Sequence, residues 1–430
     1  MIDLARDELR LAGVLERLSG RWGFVNTNPA QGDQPFLVDV PATNEALVMR
    51  GWRLDDYAGI SPGDPQVPRV EALPSTVPPI RPDQLAVILL CGGLGSRGRG
   101  QIHPLLLVKN PNTLCTRTLL DLQLDRLADS PLASATVLVL GSLLNETPLR
   151  RHLNRLPAAR RPLIYMGGLA PRLMPSQRPN GPPIIHCDPS GRPSYNPTGH
   201  LDALRWLVVS GALAHLQTFD VILVASYSNF GRVFTAAALK LAAYAAERGR
   251  QEPNALFVGE VVARPRDKWA GSMLVTKTDA PGDLRLVKYG YGRGQPCLAA
   301  SPEVLMSTNT LYFSVASLRR RLCQACPAAG LPSHPADFTM LLRETAIGQR
   351  RAEAGAVFDM AFPVEPLLTR KHIAEGVDVL QAERDLDQLS LLPGPPAFQP
   401  IEVSADRAVS IKLPTDLDDP LKRAYLFGKS

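Results

Sequence analysis

LAVILLCGGLGSRGRG, residues Leu85–Gly100, decides how this chain is read. Six apolar residues run together from Leu85 to Leu90 and stop at glycines. A strand buried on both faces needs no polar alternation, so such a run reads as a parallel strand in a sheet covered by helices. The glycines that follow let the backbone approach a ligand closely and adopt positive φ. Exposed N–H groups beside a strand end attract an anion. Arg97 and Arg99 add positive charge. The segment therefore reads as a loop for a phosphate or a nucleotide.

Outward from it the pattern alternates. TLLDLQLDRLADS (Thr118–Ser130) has helical spacing, and TVLVLG (Thr136–Gly141) and PLIYMG (Pro162–Gly167) read as further core strands. GHLDALRWLVVSGALAHL (Gly199–Leu216) reads as one helix, FDVILVAS (Phe219–Ser226) as a strand, the Ala-rich Thr235–Arg248 as a helix, and ALFVGEVV (Ala255–Val262) as a strand. Strands alternating with helices predict an α/β fold: a doubly wound mixed sheet, mostly parallel, with helices on both faces.

Three regions follow. Residues 1–82 read as an N-terminal helical extension, with Leu4, Leu9, Leu11, Val14, Leu15 and Leu18 on one face, ending in the proline-rich stretch 61–82. Repeated proline removes N–H donors and blocks helix, so that stretch reads as an extended strap. Residues 83–357 read as the main α/β domain that carries the glycine loop, and residues 358–430 as a C-terminal subdomain that packs back on the sheet.

Composition narrows the partners. Apolar residues are 45% of 430, enough for a real core, which excludes wholesale disorder. The net charge of +6 suits phosphate-bearing ligands without demanding nucleic acid. No stretch reaches the roughly 18 apolar residues a membrane span needs, and the Met1 end has early acids and no apolar signal region. Six cysteines make no disulfide framework, and Cys323-x-x-Cys326 reads as inert thiols near a helix end. The expected compartment is the cytoplasm.

Three loop chemistries compete for Cys91–Gly100. A Walker A loop needs Gly-Lys-Ser/Thr at its end, and none is present. Gly93, Gly95 and Gly98 match the dinucleotide spacing, but that loop opens a helix at once, and here Pro104 follows within a few residues. Gly92, Gly93, Gly95, Ser96 and Arg97 fit best the GGxGxR loop of sugar-nucleotide pyrophosphorylases.

From about Leu85 onward the sequence resembles the eukaryotic-type UTP–glucose-1-phosphate uridylyltransferases, or UDP-sugar pyrophosphorylases. GGLGSR is similar to that family's GGLGT loop, and Val137–Leu153 to its "LVLMNSFNT" strand and helix. Pro171-Arg172 matches its "PR", and NPTGHLDAL (Asn196–Leu204) resembles "PPGHGDIY". STNTLYFS (Ser307–Ser314), VEPLLTRKHIAEGVDVLQAE and IKLPTDLDDPL follow in the family's order. The resemblance implies a nucleotidyltransferase domain of the GT-A/Rossmann-like type that joins a nucleoside triphosphate, UTP favoured, to a sugar-1-phosphate or sugar-like phosphate and releases pyrophosphate.

It also implies roles. Gly92, Gly93, Leu94 and Gly95 would hold the nucleotide, with Gly199 and His200 against it and its phosphates. Ser228, Asn229, Glu260 and Asn309 would meet the sugar-phosphate. Arg97, Lys109 and Lys412 would supply positive charge where the reaction develops negative charge. Partners are small molecules, neither nucleic acid nor membrane.

Two departures stand out. The family's loop ends in Pro-Lys, where this chain has Pro104-Leu105, leaving Lys109, Arg97 and Arg99 as substitutes. The family's "SNxDNLG" puts a metal-binding aspartate where SYSNFG puts Ser228. Mg²⁺ is thus expected from the family but lacks its usual carboxylate, since hard cations prefer carboxylate oxygens. No residue is assigned as a metal ligand; Asp188 and Asp202 are candidate replacement acids, with Asp202 also matching the family's own "GHGD" aspartate, where its role would be to orient a helix start. The competing reading is a catalytically impaired or repurposed nucleotide- or sugar-binding protein on the same scaffold.

Overall fold

The computed structural model describes residues 57–427 apart from 93–101, 111–112, 143, 175–183, 189–190, 192–193, 217, 265–270, 290–303, 347–348, 365–366, 373–376, 393–396, 412–415 and 417. The expected N-terminal helix lies outside these residues.

In chain order the ten strands of the central sheet are β1 (Tyr57–Gly59), β2 (Leu85–Leu90), β3 (Thr136–Ser142), β4 (Leu163–Gly167), β5 (Val221–Ser226), β6 (Phe257–Ala263), β7 (Gly271–Lys277), β8 (Leu284–Tyr289), β9 (Leu305–Ser314) and β10 (Phe398–Glu402). The central four lie in the order β4-β3-β2-β5, all parallel. β9 runs antiparallel to β5 and to both of its other neighbours, β6 and β7. β10 adds parallel to β6, while β8 and β1 flank β7 antiparallel. The sheet is mixed, with a parallel centre.

The apolar run Leu85–Leu90 explains this position. Ala86, Ile88 and Leu90 face one core cluster, and Leu85, Val87 and Leu89 face the other. Full burial of such a side chain contributes about 1.5–3 kcal/mol, and only a central strand collects it on both faces.

Over the first face pack α3 (Asp202–Val209), α5 (Val315–Ala325), α6 (Pro335–Ala346) and α7 (Arg351–Ala361). Over the second pack α1 (Leu119–Ala128), α2 (Glu146–Leu153) and α4 (Ala236–Gln251). The sheet is doubly wound, as expected. α1 starts where Thr118 accepts the Asp121 N–H at 3.0 Å and Asp121 accepts the Thr118 N–H at 3.1 Å, a capping box that satisfies two end donors. Among the described residues no helix is long and apolar enough to cross a membrane.

The expected single helix Gly199–Leu216 is broken. α3 ends at Val209, Gly211 takes φ +73°, and one further turn follows at Ala212–His215. A Cβ on Gly211 would lie 2.2 Å from the Ala346 backbone, so the chain bends where it crosses the end of α6. The proline-rich stretch contributes to both clusters, burying Val67 in the first and Val70, Leu73 and Ile80 in the second.

Candidate nucleotide crevice

The chain passes from β2 out to β3 and β4, then returns to β5 on the other side of β2. The strand order reverses between β2 and β5. In open α/β sheets the loops after the strands diverge at that point and leave a crevice for a ligand. Leu90 pairs with Ser226, so Cys91 and Gly92 leave the sheet beside the residues that follow β5.

One wall is the entrance to the glycine loop. The Ser142 hydroxyl donates to the Gly92 carbonyl at 2.8 Å, and the Asn145 amide donates to the Cys91 carbonyl at 2.7 Å. Asn145 Oδ1 accepts the Ser142 N–H at 2.8 Å, and Asn145 is fully buried. Asn145 therefore fixes the direction in which the chain leaves β2. The signal for it was present in Ser142-Leu-Leu-Asn145 after a predicted strand, but nothing local assigned Asn145 a partner 54 residues away. Gly93, Leu94, Gly95 and Arg97 lie outside the described residues.

A second wall holds Gly199 and His200. Gly199 has φ +104°, and a Cβ there would sit 2.3 Å from the Arg384 carbonyl oxygen. That oxygen accepts the Leu201 N–H at 2.9 Å, and Arg384 N donates to the Thr198 carbonyl at 2.8 Å. The loop is thus clipped to Arg384, just beyond the strand Asp378–Glu383. His200 is half exposed, its Nδ1 3.9 Å from Asp385 Oδ1.

Beneath this loop lies an ion network that the sequence did not announce. Asp202 accepts the Gly168 N–H at 3.0 Å and lies 3.7 Å from Arg384, which donates to Asp359 at 3.1 Å. Arg205 reaches the same Asp359 at 3.4 Å. Burial pushes the Asp202 carboxyl above its ordinary value, against the pull of Arg384 and Arg205. Burial acts the same way on Asp359, but there the two arginines win and hold it below the usual carboxylate range. Asp202 is thereby occupied in orienting Gly168 and α3, not presented as a replacement metal ligand.

A pH prediction follows from Asp359. Its folded-state pKa is depressed, so its contribution is fully present above the ordinary value of 3.8 and lost as pH falls through the lower folded value. Melting temperature followed downward from pH 5 should fall less steeply in Asp359→Asn than in the wild type. An identical slope would show that the network contributes nothing through this carboxylate.

The third wall follows β5. The Ser226 and Ser228 hydroxyls lie 2.8 Å apart, and Ser228 is buried. The Asn229 side chain binds backbone at both ends: its oxygen accepts from Gly231 N and Val409 N, each at 3.1 Å, and its nitrogen donates to the Arg407 carbonyl at 3.0 Å. It staples the C-terminal stretch to the sheet, so its amide is committed to backbone here. Ile411, the last described residue before Lys412, donates to the Ser228 carbonyl at 2.9 Å. Lys412 itself lies outside the described residues. From α1, Gln123 donates to the carbonyls of Tyr227 and Asn229 and fixes the turn from the opposite side.

Asn309 and Glu260 separate. Asn309 holds φ +58° in the middle of β9, where β6 shifts register between Gly259 and Val261. Asparagine tolerates this left-handed conformation better than other residues with a Cβ, and bulges of this kind gather beside sites. It lies two residues beyond the last β5–β9 pair, Leu311 with Val224, and is partly exposed.

Glu260 is completely buried. It accepts from Tyr312 Oη at 2.7 Å and from Arg407 Nε at 3.1 Å, with a second short contact to Arg407 Nη2. Burial works against the Arg407 charge, and Glu260 more than offsets it, raising the guanidinium pKa. In this arrangement the Glu260 carboxylate presents no face to a sugar; it is a tie between β6 and the C-terminal stretch. Lys109 stands exposed on a hairpin of Leu107–Lys109 with Thr116–Thr118, and no contact among the described residues links it to the crevice.

The donor set after β5 does not fit Mg²⁺. Ser228 stands where the sequence resemblance expects a carboxylate, and among the described residues no group of three or more His, Cys, Asp or Glu could hold a metal ion. In the CxxC pair, Cys323 donates to the Ser333 carbonyl at 2.8 Å, and burial raises both thiol pKa values.

The doubly wound sheet with a parallel centre and an antiparallel strand beside β5 is a fold that this chain shares with solved UDP-sugar pyrophosphorylases. A UDP-glucose phosphorylase from Trypanosoma brucei superposes with a TM-score of 0.57 at 18% identity, over 87% of this chain and 72% of its own. A variant of the UDP-glucose pyrophosphorylase of Leishmania major, in complex with UDP-glucose, gives 0.56 at 17% identity over 87% and 73%. The uridine diphosphate N-acetylglucosamine pyrophosphorylase of T. brucei gives 0.51 at 15% identity over 80% and 65%. No protein-family model and no curated protein sequence matches the chain.

Proposed function

We propose that this protein is a nucleotidyltransferase of the cytoplasm that joins a nucleoside triphosphate, UTP favoured, to a sugar-1-phosphate or a similar phosphate. One observation carries the reading: the glycine loop leaves β2 at the strand-order reversal, directly beside the end of β5, on the fold of UDP-sugar pyrophosphorylases. A phosphate oxygen of the acceptor attacks the α-phosphorus of the triphosphate. The P–O bond to the β-phosphate breaks, and pyrophosphate leaves with its electron pair. Such chemistry asks the protein for in-line positioning and for donors aimed at developing charge.

The residues divide that work. Gly92–Gly95 receive the nucleotide through backbone, aimed by Asn145 and Ser142. Gly199 and His200 close on its phosphates, held by the clip to Arg384. Asn309 and Ser226 meet the acceptor from the β5–β9 side. Arg97 and Lys412 supply positive charge, with Lys109 as a further candidate.

Pyrophosphate release from UTP with a panel of sugar-1-phosphates tests this. Turnover is expected with at least one sugar. Gly93→Val should abolish nucleotide binding while leaving the melting temperature near wild type, because a branched side chain blocks the backbone approach. Unchanged nucleotide affinity in that variant would move the nucleotide off this loop. Binding without release across the panel would leave a binding protein instead of an enzyme.

A further inference from the structure

We infer that Gln123 and Arg126 are positioning residues for the transfer: through them α1 sets the spacing between the entrance of the glycine loop and the turn after β5. The inference rests on the nucleotidyltransferase reading above and deepens it. It is carried by what holds the five carbonyls of that turn.

The two side chains stand one helical turn apart on the same face of α1. Gln123 Nε2 donates to the carbonyls of Tyr227 at 2.9 Å and Asn229 at 2.6 Å. Arg126 Nη1 donates to the Phe230 carbonyl at 2.7 Å, and its Nη2 to the Gly231 carbonyl at 3.1 Å. Its guanidinium also lies over the Phe230 ring, 5.6 Å from the centre. A carbonyl oxygen only accepts, so the direction of all four bonds is fixed. The remaining carbonyl, that of Ser228, takes the Ile411 N–H at 2.9 Å. Every carbonyl from Tyr227 to Gly231 is thus held, four of them from α1.

The same helix is tied to the wall at the glycine loop. Leu119, its first residue, donates its N–H to the Leu106 carbonyl at 3.1 Å, and the chain reaches Leu106 from the loop side through buried His103 and Pro104. Asp121 Oδ1 lies 2.8 Å from His152 Nε2 on α2. That helix begins at Asn145, whose amide holds the Cys91 carbonyl at 2.7 Å. α1 thereby bridges the loop entrance and the turn.

Packing alone does not call for an amide at position 123. Gln123 is 1% exposed, and its Oε1 has no partner among the described residues. A methionine would fill similar space without stranding an oxygen. What the amide adds is the pair of bonds to the turn. In-line transfer tolerates little misplacement, since a shift of about 1 Å can cost about 10²-fold in rate.

The experiment compares UTP affinity, by calorimetry, with the rate of pyrophosphate release on a sugar-1-phosphate that the wild type turns over. It uses the full chain and the variants Gln123→Met, Arg126→Met and Arg126→Lys, each melted to show that it is folded at the assay temperature. Gln123→Met and Arg126→Met should keep their UTP affinity within about threefold and lose about tenfold to a hundredfold in kcat. Arg126→Lys can still reach one carbonyl and should fall between them and the wild type. A merely structural role would lower the melting temperature and leave the kcat of the folded protein unchanged. A folded variant with wild-type kcat, or one whose UTP affinity falls as far as its kcat, overturns this inference and leaves the proposed function standing. Failure of the wild type to bind UTP, or to release pyrophosphate with any sugar-1-phosphate, overturns both. Arg126 is only partly buried, so Arg126→Lys supplies the comparison should Gln123→Met not fold.

Discussion

Arg407→Met should lower the stability of the protein by about 3–5 kcal/mol, the usual cost of stranding one partner of a buried ion pair. Arg407 is 4% exposed and Glu260 is not exposed at all. Besides Glu260, Arg407 donates to the carbonyls of Arg232 and Val233 and to the Thr235 hydroxyl, at 2.6–3.1 Å. Removing it leaves a carboxylate in the core with Tyr312 as its remaining donor, and frees three acceptors from the segment that leads into α4. Urea unfolding checks the magnitude. The double variant Glu260→Met/Arg407→Met should recover part of the loss, because no charge is then left unpaired. If the single and double variants lose equally, the cost lies in the backbone acceptors and not in the ion pair. An unchanged single variant would show that the pair is not a structural tie.

Gly199→Ala should cost about 2–4 kcal/mol and abolish productive nucleotide binding. Two penalties combine there. The residue holds φ +104°, which an L side chain rarely adopts, and the new Cβ would lie within 3 Å of three Arg384 backbone atoms, at 2.3, 2.6 and 2.9 Å. Backbone cannot rotate away as a side chain can, so the loop 198–201 must leave its clip. Gly191→Ala separates the two penalties. Gly191 holds φ +79° with no described atom within 4 Å of its would-be Cβ, so it carries the conformational cost alone, about 1–2 kcal/mol. Thermal melts of both variants, with UTP affinity for each, decide the matter. If the two melt alike, the Arg384 contact is not limiting; if Gly199→Ala keeps its UTP affinity, the loop does not touch the nucleotide.

Legibility in this sequence followed the range of the force involved. The strand Leu85–Leu90, the helix after Thr118 and the Ala-rich helix α4 could be read directly, because burial pattern, capping and propensity act within a few residues. The helix break at Gly211 could not, since it arises where α6 crosses, about 135 residues on. Ser228 and Leu105 were visible as departures from a family pattern, but the contact between the Ser226 and Ser228 hydroxyls was visible only in three dimensions.

By itself, then, the sequence determined a doubly wound α/β sheet, a glycine loop at its centre and the absence of a carboxylate after β5, since each of these is written in residue type and local spacing. Only the tertiary structure decided what the polar residues do. Glu260 and Asn229 read equally well as ligands for a sugar, and became ties when Arg407 and Val409 arrived from 147 and 180 residues away. Asp202 was settled in the same way by Arg384 and Gly168. The physical reason is that a buried polar group takes its role from whichever partner satisfies it, and that partner is chosen by how the chain packs, not by its neighbours in sequence.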